Sequence, residues 1–139
     1  MKYGFDYHGV LETQHRVYGP MTKALVEGGH EVHIITGAIQ SEELAAELNA
    51  NGIVWTHWFS IVEYHKAKGD TPIVWQNGLP WMHKETWDRT KSVYCEENGI
   101  DLMIDDSPVY GSYFGFKTLY LLQRDPRDLE SWMILAKRI

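Results

Sequence analysis

The sequence predicts an α/β fold of three layers, with a mainly parallel central sheet and a small β-hairpin flap inserted at approximately residues 60–83. Short apolar runs of the kind that form buried strands alternate with segments at helical spacing, in the order strand, helix, strand, helix, strand. That order favours parallel pairing through right-handed crossovers. Two later apolar runs, IDLMIDD and KTLYLL, continue the pattern. Three of the strands end in polar residues, which is where a ligand binds in an open parallel sheet.

Lys2 to Asp6 reads as a short strand running into a polar turn. After a loop, GPMTKALVEGG (Gly19 to Gly29) sets Met21, Ala24 and Leu25 at helical spacing, with Pro20 near the start and Gly28-Gly29 as the stop. HEVHIITG carries Val32, Ile34 and Ile35 into Thr36-Gly37 and reads as a buried strand. SEELAAELNANG is a helix with Ser41 as N-cap, and Leu44 and Leu48 on one face. A strand follows around Ile53 to Phe59. From Ser60 to about His83 the pattern breaks, and TPIVWQNGLPWM reads as two extended runs about a tight Asn77-Gly78 turn. A helix over Lys84 to Asn98 stops at Gly99; the strands IDLMIDD and KTLYLL come next; and DLESWMILAKRI predicts a last helix with Asp128 as N-cap.

A chain of 139 residues is the size of a single domain spanning 1–139. Its formal net charge of -6 argues against a protein that grips nucleic acid through a broad basic face. A single cysteine, Cys95, excludes an intramolecular disulfide framework and a Cys-rich zinc site, and suggests a reducing compartment. No run approaches the roughly 18–20 apolar residues that span a bilayer, and the N-terminus does not read as a secretory signal. The expectation is a soluble, cytoplasmic protein with no membrane partner.

Asp6, Thr36 and the pair Asp105-Asp106 sit at three strand ends that can converge on one crevice. Crowded carboxylates raise each other's pKa, and a divalent cation is the natural remedy. Oxygen-only ligands with room for water suit Mg2+. Singly, each residue has an ordinary reading: Asp6 as a turn residue, Thr36 as a strand end, Asp105-Asp106 as a capped loop, Lys91 as a solvated helix residue. The tryptophans Trp55, Trp58, Trp75, Trp81 and Trp87 read first as core and flap packing. His15, His30 and His33 read as surface or strand-edge residues, and the spacing of His57, His65, His83 and Cys95 matches no zinc pattern.

Taken together, these motifs resemble the haloacid dehalogenase-like hydrolases. FDYHGVL is similar to that family's first motif, an apolar strand ending in Asp-x-Asp-Gly-Thr/Val; IITG to its second, a strand ending in Thr or Ser; and LMIDD to its fourth, a strand ending in an acidic pair. The third motif is a lysine near the preceding helix: Lys91 lies fourteen residues before Asp105, with Lys84 in reserve. The resemblance implies a Mg2+-dependent phosphatase in which Asp6 attacks phosphorus and forms an aspartyl-phosphate. It implies Mg2+ ligands from Asp6, the backbone carbonyl of His8, and Asp105 or Asp106. Thr36 and the Gly37 N–H would hold phosphate oxygens, and Lys91 would neutralise Asp6 and the transferring group.

His8 stands where most phosphatases of the family carry the acid/base aspartate. An imidazole with an unperturbed pKa of about 6.5 can perform both proton transfers; alternatively, the substitution leaves a phosphate or nucleotide binder without turnover. In the family, insertions after the third strand form substrate-selecting caps. The insert here is in that place, so the Trp75 to Trp81 hairpin is expected to meet a planar leaving group. The expected substrate is a nucleotide or another small phosphorylated metabolite.

Overall fold

A computed structural model of the chain describes residues 1–123. The helix expected after Asp128 lies outside the described residues. The elements are β1 (Lys2–Phe5), α1 (His15–Glu27), β2 (Glu31–Thr36), α2 (Glu42–Ala50), β3 (His57–Ser60), α3 (Ile61–Lys68), β4 (Val74–Gln76), β5 (Leu79–Trp81), α4 (Lys84–Asn98), β6 (Leu102–Asp105), α5 (Pro108–Gly111) and β7 (Leu119–Leu122). The fold is α/β. Five strands form one sheet in the order β3-β2-β1-β6-β7, every neighbouring pair parallel, and β4 and β5 form a separate antiparallel pair.

The pleat divides the sheet's side chains between two cores. Phe5, Val32, Ile34 and Ile104 pack with Val10, Tyr18 and Leu48, so α1 and α2 cover that face. Ile35 and Met103 pack with Ile61 and Cys95 from α3 and α4 on the other. The chain steps from β1 to β2 and β3 on one side, then returns to place β6 and β7 on the opposite side of β1. The strand order therefore reverses between β1 and β6, and the crevice outside the carboxyl ends of the strands opens there.

Four local expectations are corrected. The first helix begins at His15, not at Gly19, and holds Pro20 in its interior. Burial explains the longer start: Tyr18 is fully buried, with its ring edge-on to Phe5 at 5.5 Å between centroids, and Val17 is buried beside it. Pro20 removes the hydrogen bond to Arg16, an exposed residue whose carbonyl can turn to water. The third strand begins at His57, because the segment before it is spent elsewhere: Ile53 is buried, and the Val54 N–H donates to Thr22 Oγ1 at 3.2 Å.

The presumed break after Ser60 begins with a helix, α3, and only residues 74–81 form the hairpin. Its signal lay in Ser60-x-x-Glu63: Ser60 Oγ accepts the Glu63 N–H at 3.2 Å, and Gly69 ends the helix in the left-handed region at φ 64°. His33 is buried, not a surface or strand-edge residue, because β2 is covered on both sides of the sheet. The hairpin turn itself is as the sequence predicts, with Asn77 at φ 51° and Gly78 at φ 74°. Two consecutive positive φ angles make the type I′ turn that matches strand twist.

Candidate functional site

Asp6 follows the last residue of β1, and its backbone N–H still donates to Ile104 O at 2.9 Å, which stitches the β1 end to β6. Its side chain is buried. Oδ1 accepts the Tyr7 N–H at 2.8 Å and lies 3.0 Å from Lys91 Nζ. Lys91 comes from the middle of α4, and its ammonium donates to Asp105 Oδ2 at 2.7 Å. The other Asp105 oxygen accepts the Ser107 N–H at 2.9 Å, which shapes the exit from β6. The ring of Tyr110 lies 4.5 Å from Lys91 Nζ and adds a cation–π contact.

Carboxylate oxygens of Asp6, Asp105 and Asp106 all lie within 4.8 Å of one another. Burial pushes Asp6 up to about 6; Lys91 opposes that and Asp105 reinforces it. Burial also raises Asp106, with Asp105 adding to the rise. For Lys91, burial alone would lower the ammonium pKa, but Asp6 and Asp105 outweigh it and the net shift is upward. The ammonium is served by two buried carboxylates, while the carboxylates must divide it, so its pull does not offset their burial. Three carboxylates against one ammonium leave uncompensated negative charge, and an all-oxygen set fits a hard divalent cation such as Mg2+.

His8 lies on the turn between β1 and α1, where Glu12 N–H donates to Tyr7 O at 3.0 Å across a π-type turn. Its ring lines the same cavity as Asp6 but is largely exposed, with Nδ1 3.4 Å from Glu12 Oε2. Gly9 next to it has φ 74°, and a Cβ there would collide with the Asp106 carboxylate. Glycine is therefore required twice over, by backbone conformation and by the close approach of Asp106.

Thr36 ends β2 and is fully buried, with Oγ1 accepting the Ala38 N–H at 3.2 Å. Gly37 and Ala38, not the Thr36 side chain, line the cavity. A Cβ on Gly37 would come within 2.6 Å of the Trp87 ring, so the residue's smallness lets α4 close on the strand end. Lys84, the reserve lysine, is not brought to the cluster: its largely exposed ammonium, in the first turn of α4, pairs with the buried Asp88.

The cavity holds about 640 Å³. Asp6, Lys91 and Asp106 are its polar end, and Ile39, Leu79 and the rings of Trp75, Trp81, Trp87 and Tyr110 contribute its apolar walls. Trp75 and Trp81 on the hairpin are about half exposed, at 47% and 56%, whereas Trp55 and Trp58 pack against the core. A volume in this range suits a small molecule. His65 is used by Asp70 and Thr90, His83 caps α4, and Cys95 is buried, so no zinc site forms from them among the described residues.

Two residues that sequence reasoning did not single out contribute. Tyr110 supplies the ring beside Lys91 and accepts the Trp87 Nε1–H at 3.0 Å. Gln123 receives the Tyr18 hydroxyl hydrogen bond and donates from Nε2 to Gly9 O at 3.1 Å, bracing the His8-Gly9 turn from β7. Neither belongs to a motif with a recognisable spacing, and only the sheet order brings Gln123 next to Gly9. No helix among the described residues is long and apolar enough to cross a membrane. Comparison with protein-family models, curated proteins and solved structures finds no significant match for the chain.

Proposed function

We propose that the chain is a Mg2+-dependent phosphatase of the haloacid dehalogenase-like kind, with a Rossmann-like fold, hydrolysing a phosphomonoester through an aspartyl-phosphate on Asp6. The observation that carries this reading is the buried cluster at the β1/β6 switch point, in which Asp6 and Asp105 share the Lys91 ammonium and Asp106 stands beside them. Asp6 Oδ1 is held by the Tyr7 N–H and Lys91, while Oδ2 makes neither contact and would be the oxygen that attacks phosphorus. An ammonium has three protons to donate, and the two carboxylates use two, so the third remains for a phosphate oxygen. The Gly37 N–H serves another.

Asp6, the His8 carbonyl and Asp105 or Asp106 would hold Mg2+, which would supply positive charge against the transferring phosphoryl group. Charge at fixed positions is what phosphoryl transfer chiefly requires. His8, at the cavity mouth, would protonate the leaving oxygen and later take a proton from water. The aromatic walls favour a nucleotide or another small metabolite with an apolar or planar leaving group.

A second reading, a phosphate or nucleotide binder without turnover, is favoured by one observation: the His8 side chain is 66% exposed and faces Glu12. A Mg2+-supplemented assay with p-nitrophenyl phosphate on the wild type, Asp6→Asn and His8→Asp separates the two. Turnover by the wild type that is lost in Asp6→Asn supports the phosphatase. An inert wild type beside an active His8→Asp supports the binder.

A further inference from the structure

The sheet carries a second group of potential ligands away from the carboxyl ends of its strands. Glu31 and His33 project from the same face of β2, two residues apart, and His57 on β3 is the register partner of His33. Glu31 Oε2 lies 2.8 Å from His33 Nε2, and the three residues offer ligand atoms within 4.8 Å of one another. His33 is the register partner of Gly4, two residues before Asp6, so this group is set back roughly 7 Å along the strand from the acidic cluster.

The surroundings of the two imidazoles are alike. His33 Nδ1 lies 2.8 Å from the Tyr94 hydroxyl, and His57 Nδ1 lies 2.8 Å from Thr56 Oγ1. Each ring thus has its Nδ1 beside a hydroxyl, which can orient a metal-binding histidine; at His33 the Nε2–H donated to Glu31 is the contact a metal would replace. Glu31 at the start of β2 and His57 at the start of the edge strand β3 are accessible from solvent, which gives an ion a way in. Lys2 Nζ, 3.4 Å from the same Glu31 oxygen, is the cation an incoming metal would displace or share.

We propose that Glu31, His33 and His57 form a site for a borderline divalent cation of the Zn2+ type, distinct from the acidic cluster at Asp6. Two imidazoles and one carboxylate are a zinc ligand set, with the remaining position open to water, and they discriminate against Mg2+, which takes oxygen. The two rings are stacked at 4.2 Å and 10° from parallel, so one ion cannot lie in both ring planes as they stand. The buried His33 is fixed; the exposed His57 ring tilts out of the stack to complete the site. Bound metal then pins the start of edge strand β3 to β2.

The test uses tag-free, chelator-stripped full-length protein in saturating Mg2+, so that the acidic cluster is engaged. Zn2+ binding is followed by calorimetry, and Co2+ binding by its visible absorption. The expected result is one equivalent bound by the wild type, unchanged in Asp106→Asn, and weakened at least about tenfold in His57→Ala and in Glu31→Gln. Circular dichroism of His57→Ala and Glu31→Gln establishes that they are folded; the deeply buried His33 is left intact for that reason. No saturable Zn2+ binding by the wild type, or binding by His57→Ala and Glu31→Gln equal to that of the wild type, overturns the proposal.

Discussion

Lys91 decides the electrostatics of the cluster, because it is the ammonium that both buried carboxylates touch. Replacing it with methionine keeps much of the volume and leaves Asp6 and Asp105 facing each other with no cation. Removing one partner of a buried ion pair typically costs about 3–5 kcal/mol. Urea denaturation of Lys91→Met at neutral pH, in chelator, is expected to show a loss of that size. Asp6 also predicts a pH dependence of stability. Its pKa is raised in the folded protein to about 6 from an ordinary 3.8, so the folded state binds the proton more tightly than the unfolded state. The associated stability is therefore present below the unfolded value and is lost as pH rises through about 6. In metal-free protein, unfolding free energy is expected to fall between about pH 4 and 6 relative to Asp6→Asn, which lacks the titrating group.

At the scale of elements, two turns place the working groups. The π-type turn after β1 brings Gly9 against Asp106, and no side chain can be added there without moving the carboxylate. On the proposed reading Mg2+ raises the melting temperature of the wild type, and Gly9→Ala is expected to abolish that shift, as read by melting with and without the ion. The strain of an alanine at φ 74° costs on the order of 1 kcal/mol by itself, so the variant should remain folded. The type I′ hairpin holds Trp75 over the cavity, and that ring is about half exposed. Trp75→Ala should change unfolding free energy by no more than about 0.5–1 kcal/mol while raising KM for an aryl phosphate, with little change in kcat. Steady-state kinetics beside a denaturation curve checks both parts.

The whole molecule offers its own reporter in Cys95. It lies fully buried on α4 in the core between that helix and the sheet, and burial pushes its thiol up to about 12. A thiol in that state is unreactive at neutral pH. Native protein is expected to resist Ellman's reagent and to yield one thiol per chain in denaturant, with the native labelling rate following global unfolding. Destabilising changes at Lys91, one helical turn before Cys95, should therefore speed labelling.

Much of the arrangement is written locally in the chain. Apolar runs define the strands of the parallel sheet, Asn77-Gly78 specifies the hairpin through its φ requirements, and Ser41 caps α2 through its side chain. Asp6, Thr36 and Asp105-Asp106 are expected at one crevice because parallel strands joined by crossovers deliver their carboxyl ends to one edge, whereas Lys91, in the middle of a helix, is expected there only from the family resemblance. What remained illegible depended on partners distant in sequence. The start of α1 was set by the burial of Tyr18 against Phe5, which overrides the proline signal. The burial of His33 depended on covering β2 on both sides of the sheet, and its pairing with His57 on strand register. The choice of Lys91 over Lys84 followed from position along α4: the two lie on one helix face seven residues apart, and Lys91, two turns further on, is the one level with Asp6 and Asp105. Sequence alone determined most of the strands and helices and the chemistry available at the strand ends, since propensity and turn geometry act over a few residues. Only the tertiary structure decided which charges share an ammonium, which are buried and which rings wall the cavity, since those depend on contacts that the folded sheet creates.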